Sequence, residues 1–288
     1  MSRPGRLVGA AAAAIALGVV VAVGSPAVGS ASSGGTTSAP PVVPDAPADP
    51  QPEPPPGPAG VALEPAFDEL PDDRPNIVVI MTDDMREDEL RWMPNVQRLI
   101  EDRGVRFVNS FSPYPLCCPA RASFLTGQYT HNHEVWSNSS KYGFRALKDR
   151  STVATDLSDA GYRTAFLGKY LNGYGTSPAP DGSAEDSFHY VPPGWQDWRG
   201  SVNDLYAAGT PEAGGTYSYF DTTLNDNGVL RGNGGVYQTR MFGAETEDML
   251  YDLSRSPSPF FLWASYVAPH AGGPVEPDDP EPVLRDNG

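Results

Sequence analysis

The chain has 288 residues, of which 39% are hydrophobic and 19% are charged, so it can bury the core of one or two domains. Acidic residues outnumber basic residues by 36 to 20, and the net charge of −16 argues against a nucleic-acid-binding protein, which needs a basic surface. The two cysteines, Cys117 and Cys118, are adjacent, which excludes a disulfide framework and a four-cysteine zinc site.

The first 31 residues are typical of a secretory signal peptide. Arg3 and Arg6 precede an apolar run at 7–24, and small residues follow up to Ala31. An uncleaved membrane anchor is the alternative, because the run is close to the shortest length that spans a bilayer. We expect cleavage, secretion to the extracellular space and no stable membrane insertion afterwards.

Residues 32–71 form a segment of Ser, Gly, Thr, Ala, Pro and acidic residues, with proline-rich runs at 40–44 and 52–56. Such a composition cannot bury enough apolar surface to offset the entropy of the chain. We therefore predict a disordered linker at 32–71, between a signal peptide at 1–31 and a folded domain at 72–288.

Apolar runs alternate with helical signals from residue 72 onward. Runs rich in β-branched or aromatic residues are typical of strands buried in a parallel sheet, and proline or serine before a segment with glycine after it is typical of a helix. In chain order, we predict a strand at 76–81, a helix at 94–103, a strand at 105–111, a helix at 120–126, a helix at 152–160 with Ser151 as its N-cap, a strand at 162–167, a helix at 238–253 and a strand at 259–267.

This alternation predicts an α/β fold with a mostly parallel central sheet and helices on both faces. Residues 181–235 are rich in glycine and aromatic residues and have no periodicity. An aperiodic stretch of this length is usually functional or disordered, and its aromatic residues favour an ordered excursion on the substrate side of the domain.

Polar side chains follow three of the predicted strands. Asp83 and Asp84 follow the first strand, Lys169 follows the strand at 162–167, and His270 follows the last strand. Ligands of open α/β sheets bind beyond the carboxyl ends of the strands, so we expect these side chains at one rim. Paired carboxylates make an oxygen site suited to Ca²⁺ or Mg²⁺, although an Asp pair after a strand is more often a simple turn.

Other polar residues carry weaker signals. His131 and His133 could be metal ligands, but two histidines at this spacing in a loop are a weak pattern. Cys117 lies just before Pro119, the predicted first residue of a helix, where free N–H groups and the helix dipole favour an anion. Cys118 is predicted to be a buried, inert thiol.

The segment that follows Leu116 carries the most specific pattern, with Cys117, Pro119 and Arg121 in the order Cys-x-Pro-x-Arg. This pattern resembles the signature of the type I sulfatases. Three further segments resemble motifs of that family in the same order, at 74–84, 168–170 and 268–270. Within the family, the sequence is most similar to the N-acetylglucosamine-6-sulfatase and extracellular heparan 6-O-endosulfatase branch. The segments that carry this similarity are 129–133, 168–174 and 191–198.

The resemblance implies a fold and a set of roles. The fold would be the alkaline-phosphatase-like sandwich of sulfatases. A formylglycine-generating enzyme would oxidise Cys117 to formylglycine (3-oxoalanine), whose hydrate attacks sulfur with one hydroxyl and expels sulfate with the other. Asp83, Asp84 and the modified Cys117 would hold Ca²⁺, with Mg²⁺ as the alternative.

Three cationic side chains would complete that site. The resemblance implies that Arg121 holds the hydrate, while Lys169 and His270 bind the sulfate and assist the leaving oxygen. Many sulfatases have a histidine two residues after the lysine, but Leu171 stands there in this chain. We therefore assign no catalytic histidine at that place.

The implied function is a secreted sulfuric ester hydrolase that acts on a sulfated aminosugar or glycosaminoglycan-type saccharide. One alternative is a phosphatase or phosphonate hydrolase of the same superfamily. Another is a truncated, non-catalytic protein that binds saccharides through Trp195 and Trp198.

The sequence resembles only the N-terminal part of a sulfatase. The family has a second metal-binding pair, commonly Asp-Asn, well after the histidine. In this chain Asp286 and Asn287 follow His270 closely, in an acidic, proline-rich run that is typical of a loop. We expect an incomplete sheet with an unpaired edge beside the strand at 259–267. We also expect the 288-residue chain alone to hydrolyse sulfate esters poorly or not at all.

Overall fold

The computed structural model describes residues 74–183, 185–203 and 214–274. The predicted signal peptide, the predicted linker and the pair at 286–287 lie outside these ranges. Within them, no helix has both the length and the apolar character needed to cross a membrane.

A six-stranded sheet forms the centre of the domain, in the order β1-β6-β2-β3-β4-β5. Its strands are β1 (Ile77–Asp83), β2 (Arg163–Lys169), β3 (Asp197–Ser201), β4 (Thr223–Asp226), β5 (Val229–Gly232) and β6 (Phe260–Pro269). The first four strands in the sheet order are parallel neighbours, and β4 and β5 are antiparallel additions. The predicted α/β class with a mostly parallel sheet is confirmed.

Helices flank the sheet on both faces. The α-helices are α1 (Pro94–Leu99), α2 (Cys117–Thr126), α3 (Thr130–His133), α4 (Val153–Asp159) and α5 (Gln238–Ser254). Short 3₁₀ helices lie at Glu87–Trp92, Glu101–Arg103, Ser140–Tyr142 and Phe144–Ala146. α2 and α4 share one hydrophobic cluster with the sheet, and α5 shares the other.

The alternation of side chains along the buried strands explains the two clusters. In β6, Leu262 packs toward α5, whereas its neighbours Phe261 and Trp263 pack with α2 and α4. In β2, Phe166 belongs to the α2 side and Leu167 to the α5 side. A strand that is apolar on both faces is the pattern expected of a parallel sheet covered by helices on both sides.

Trp195 and Trp198 belong to this core. They are 7% and 0% exposed, and the Trp198 ring stacks on Phe166 with 4.4 Å between ring centroids. The indole N–H of Trp198 donates to the Tyr174 hydroxyl at 2.6 Å. A saccharide cannot reach rings that are buried in this way, so the hypothesis that these residues bind saccharides is wrong.

The predicted strand at 105–111 is also wrong. The structure has no strand there, and Val105, Phe107 and Phe111 are 74%, 73% and 83% exposed. Alternating apolar residues favour a strand, but a strand forms only where a neighbouring strand accepts its hydrogen bonds. The described sheet offers no such neighbour to this segment.

The stretch at 181–235 contains regular structure that the prediction missed, since β3, β4 and β5 lie within it. These strands have only five, four and four residues, too few for a pattern of alternation. Asn227 and Gly228 join β4 to β5 with φ values of 51° and 92°. An Asn-Gly pair with positive φ at both residues is a strong hairpin signal, and it could have located this turn.

The expected unpaired edge beside the strand at 259–267 is not found. β6 lies between β1 and β2 and is paired on both sides. The prediction assumed that the sheet would end early, with an edge beside its last strand. Parallel strands are joined by crossovers, however, so the order along the chain need not be the order in the sheet.

The ends of two predicted helices differ slightly from the structure. The helix predicted at 94–103 divides into α1 and the 3₁₀ helix that follows it. The helix predicted at 152–160 is α4, and its N-cap is Thr152 instead of Ser151. The Thr152 side chain accepts from the Thr155 N–H at 3.4 Å, which satisfies a donor of the first turn.

Candidate active site

Three neighbouring parallel strands carry the candidate residues to one edge of the sheet. Asp83 is the last residue of β1, Lys169 is the last residue of β2, and His270 directly follows β6. β6 lies between the other two strands, and all three run in the same direction. Their carboxyl ends therefore meet, as expected for the ligand edge of an open α/β sheet.

Helix α2 brings two more candidates to the same edge. It begins at Cys117, three residues earlier than predicted, so Pro119 lies in its first turn. Arg121 is four residues after Cys117, which places both side chains on one face of the helix. The Cys118 N–H already donates to the Asn138 side chain at 2.9 Å, and Pro119 has no N–H. Positive charge at this helix end therefore comes mainly from side chains.

Four buried side chains, one of them Cys117, form a cluster. The Cys117 Sγ lies 3.5 Å from Asp83 Oδ1 and 3.4 Å from Lys169 Nζ. Lys169 Nζ also donates to Asp83 Oδ2, and Arg121 Nη2 lies 3.6 Å from Asp83 Oδ1. All four side chains are at most 6% exposed. Two buried cations face one buried carboxylate, so the cluster has an excess positive charge that suits an anionic ligand.

Arg121 is fixed by two strands. Its Nη1 donates to the backbone oxygen of Lys169 at 2.6 Å and to Ser265 Oγ at 2.7 Å. One guanidinium group thus ties α2 to β2 and β6 and has a defined orientation toward Asp83. Ser265 was not predicted as a site residue. It carries the one hydroxyl in the apolar run at 260–265, and this polar exception could have indicated its role in the site.

The residue before the candidate lysine, Gly168, lies where two strands pack closely. Its φ is +100°, and a Cβ built there would lie 2.1 Å from the backbone oxygen of Ser265. Any side chain would push β2 away from β6 at the point where Lys169 enters the site. Glycine is therefore required by close strand packing.

We expect Gly168→Ala to lower the free energy of unfolding by about 3 kcal/mol, from backbone strain and overpacking. Gly243→Ala is the matched control, because Gly243 lies within α5 with open space around its Cβ position. Alanine there should stabilise the protein by about 0.5–1 kcal/mol. Denaturant titration of both variants tests this account, which fails if Gly168→Ala is as stable as the wild type.

His270 and Asp84 lie at the more open side of the site. Asp84 has a φ of 57°, and its side chain is 44% exposed, whereas the His270 side chain is 23% exposed. His270 Nδ1 lies 2.6 Å from the Ala271 carbonyl oxygen, which can only accept, so Nδ1 carries a proton. The other nitrogen, Nε2, lies 3.4 Å from Asp84 Oδ2. Arg86, a nearby cation, is 3.0 Å from Asp88 instead.

The electrostatics of the buried cluster favour the charged forms of Asp83 and Lys169. Burial alone raises the pKa of Asp83, but Arg121 and Lys169 outweigh it and hold that pKa below its ordinary value. Burial and Arg121 lower the pKa of Lys169, but Asp83 and Cys117 outweigh them and leave it raised. Burial raises the pKa of the Cys117 thiol, and Lys169 offsets only part of this. The unmodified thiol is therefore protonated at neutral pH.

Cys118 has a different environment from its neighbour. Its sulfur accepts the Asn172 N–H at 3.1 Å, and burial raises its pKa to about 12. A fully buried thiol with this pKa is unreactive at neutral pH. Only Cys117 faces the charged cluster.

His131 and His133 do not form a metal site together. His133 is buried, its Nδ1 accepts the Val135 N–H at 3.1 Å, and its Nε2 lies 3.0 Å from Ser123 Oγ. Both nitrogens are engaged in local structure, while His131 stacks on Tyr129. Among residues 74–183, 185–203 and 214–274, one group of three ligand-type side chains was found, with Asp83, Cys117 and His270 atoms within 4.8 Å of one another.

Sequence reasoning missed two further side chains at the site. The Tyr217 ring lies under the Lys169 ammonium group, with 4.8 Å from Nζ to the ring centroid. Asn172 Nδ2 donates to the Tyr217 hydroxyl at 2.6 Å. Tyr217 lies in the aperiodic stretch, where nothing in the sequence singles it out, and its contacts arise only in the folded chain.

Comparisons with known proteins identify the family of this chain. The family model described as Sulfatase matches residues 75–286. The chain is 34% identical over 210 residues to human N-acetylglucosamine-6-sulfatase and 34% identical over 220 residues to the extracellular sulfatase SULF-1 homolog of Drosophila melanogaster. These alignments cover 69% and 73% of this chain, but the chain spans only 35% and 17% of the two relatives.

One solved structure is also similar to this chain. It is a complex of a protein with its substrate D-glucosamine-2-N,6-O-disulfate, and it matches with 25% identity and a TM-score of 0.51. The match covers 68% of this chain and 35% of that one. The family model covers most of the chain. The chain therefore belongs to the sulfatase family.

Proposed function

We propose that this protein is a secreted sulfuric ester hydrolase that acts on a sulfated aminosugar or a glycosaminoglycan-type saccharide. The observation that carries the proposal is the buried position of Cys117 between Asp83 and Lys169, in a cluster with excess positive charge. A sulfate ester is an anion, and a buried anion needs cations of this kind around it.

The relatives support the substrate class and the location. One relative is named N-acetylglucosamine-6-sulfatase, and the solved complex contains a glucosamine disulfate. Another relative is named an extracellular sulfatase. In the proposal, residues 1–31 direct export, residues 32–71 are a linker, and the catalytic domain begins at 72.

Cys117 is proposed to act after conversion to formylglycine by a formylglycine-generating enzyme. A formylglycine at this position would supply a hydrated aldehyde as an oxygen nucleophile. The raised pKa of the thiol supports this step, because an unmodified, protonated thiol is a weak nucleophile. Cys118 is excluded from the role because its sulfur faces Asn172.

The acidic residues at the end of β1 fit a hard cation. Asp83, Asp84 and the modified position 117 would hold Ca²⁺, with Mg²⁺ as the alternative, and the ion would stabilise negative charge on the sulfate oxygens. Ca²⁺ takes about 6–8 oxygen ligands. The described residues supply only part of that number, so substrate, water or residues outside the described ranges would supply the rest.

The cationic side chains have separate roles in this proposal. Asp83 pairs with both Lys169 and Arg121, and Ser265 and one backbone oxygen also hold Arg121, so their positive charge is already in place before substrate binds. The Nδ1 proton of His270 is held by a carbonyl oxygen, which leaves Nε2 toward the site. In its protonated form, His270 could donate the Nε2 proton to the leaving oxygen.

We expect Asp84→Asn to weaken Ca²⁺ binding by at least about tenfold, because the variant loses a charged ligand. Its melting temperature should stay near the wild-type value, since the Asp84 side chain is 44% exposed. Asp88→Asn is the matched control, because Asp88 binds Arg86 and Arg91 instead. Calorimetric titration with Ca²⁺ measures both variants, and unchanged affinity in Asp84→Asn would mean that Asp84 is only a turn residue.

The proposed reaction is tested with two esters that differ in charge. The chain is produced together with the cysteine-oxidising enzyme and assayed with 4-nitrophenyl sulfate and 4-nitrophenyl phosphate. We expect faster release of 4-nitrophenol from the sulfate. A preference for the phosphate would instead support the phosphatase alternative.

A further inference from the structure

Tyr217 touches two side chains, Lys169 and His270, that reach the site from neighbouring strands. The Lys169 ammonium group lies over its ring, 4.8 Å from the centroid. The ring of His270 lies on the same tyrosine, with 4.7 Å between centroids and 32° between planes. One aromatic ring therefore contacts both Lys169, at the end of β2, and His270, which follows β6.

The backbone around Tyr217 is tied to the segment that carries His270. The Tyr217 carbonyl accepts the Gly273 N–H at 3.0 Å, and the Tyr219 N–H donates to the Gly273 carbonyl at 2.9 Å. The Tyr219 hydroxyl donates to the His270 carbonyl at 2.6 Å. These bonds fix the distance between the Tyr217 ring and the end of β6.

The hydroxyl of Tyr217 is fixed as well. It accepts from Asn172 Nδ2 at 2.6 Å, and the Asn172 backbone N–H donates to the Cys118 sulfur. The ring is thus held at its backbone by the segment after β6 and at its hydroxyl by the loop after β2. A ring anchored at both ends can define where a flexible lysine side chain points.

We propose that Tyr217 is a positioning residue that orients Lys169 and His270 toward the bound sulfate. The inference rests on the proposed function, which supplies the sulfate. Lysine has four rotatable bonds, and its ammonium group gains an attractive interaction over the face of an aromatic ring. The ring limits both side chains to one arrangement before substrate arrives, which lowers the cost of ordering them.

The test compares Tyr217→Leu, which removes the ring, with Tyr217→Phe, which keeps the ring and loses the hydroxyl. Tyr251→Leu is the control, because Tyr251 is 62% exposed on α5 and contacts Arg255. The readouts are kcat and KM for 4-nitrophenyl sulfate, the dissociation constant of inorganic sulfate by calorimetry, and the melting temperature.

We expect Tyr217→Leu to lower kcat and weaken sulfate binding by about 10- to 30-fold, the equivalent of a partly desolvated cation–π contact. Tyr217→Phe should recover most of both losses, and Tyr251→Leu should match the wild type. KM for the aryl ester should rise in Tyr217→Leu, because the ester binds through the same sulfate group as inorganic sulfate.

The proposal is overturned if Tyr217→Leu keeps wild-type kcat and sulfate affinity. It is also overturned if only the melting temperature falls while turnover per folded molecule is unchanged, because Tyr217 would then only support the fold. A wild type that binds sulfate but releases none from esters would bear on the proposed function and not on Tyr217. In that case the sulfate affinities of the two variants still decide the role of Tyr217.

Discussion

Cys117→Ala is expected to lower sulfate-ester turnover by at least about 10³-fold, because it removes the candidate nucleophile of the buried cluster. The same change one residue later, Cys118→Ala, is expected to keep turnover within a few-fold of the wild type. Both cysteines are buried, but only the Cys117 sulfur lies beside Asp83 and Lys169. Adjacent residues of the same type thus provide a matched pair.

Two measurements check this prediction. Turnover of 4-nitrophenyl sulfate is compared for both variants, and peptide mass spectrometry of the wild type determines which cysteine has become an aldehyde. Cys118→Ala should lose about 1 kcal/mol of stability from the small cavity that it leaves. Turnover that survives Cys117→Ala, or an aldehyde at Cys118, would contradict the assignment.

Lys169→Met is expected to lower turnover by about 10²- to 10³-fold, because it removes a charge aimed at the sulfate. It should also destabilise the fold by about 3–5 kcal/mol, since it breaks a buried ion pair and leaves Asp83 without one of its partners. From the sequence alone, a loss of turnover without a large loss of stability would be expected. The burial of Lys169 changes that expectation.

The double variant Asp83→Asn/Lys169→Met separates the two effects. With both charges removed, stability should recover by several kcal/mol, while turnover should stay low. His270→Ala is the comparison variant, because the His270 side chain is partly exposed and its loss should lower turnover with little change in melting temperature. Failure of the double variant to recover stability would mean that the pair is not the cause of the destabilisation.

The pH dependence of stability provides a further check on this pair. In the folded wild type, the pKa of Asp83 lies below its ordinary value, so the ionised group stabilises the fold at neutral pH. That contribution is lost as the pH falls through the lowered pKa. Lys169→Met removes one of the two cations that lower this pKa, so denaturant titration at several pH values should show a smaller loss of stability on acidification than in the wild type.

The sequence predicts the centre of this protein better than its periphery. β1, β2 and β6 are largely apolar runs, and such runs have few alternatives to a buried strand. The candidate acidic pair, Lys169 and His270 lie at or directly after the ends of these strands, so the sequence alone is enough to predict that they converge. The short strands β3, β4 and β5 could not be found in the same way, because pairing with neighbours creates them.

Two features of the site depend on tertiary structure alone. The ion pair of Lys169 and Asp83 joins positions far apart in sequence, and neither residue type indicates burial by itself. Tyr217 touches Lys169 and His270 only because the segment after β6 pairs with the segment around it. The exposed apolar residues at 105–111 illustrate the opposite case, in which a clear local pattern has no partner strand in the described sheet.

The central claim is that Cys117, set between Asp83 and Lys169, is the reacting residue of a sulfate ester hydrolase. The most direct test is a single-turnover assay with enzyme in excess over N-acetylglucosamine-6-sulfate, at saturating Ca²⁺, because it detects even a slow reaction. We predict release of inorganic sulfate by the chain whose Cys117 has been converted to formylglycine, and none by Cys117→Ala. Release of sulfate by Cys117→Ala at the rate of the converted chain would contradict the claim.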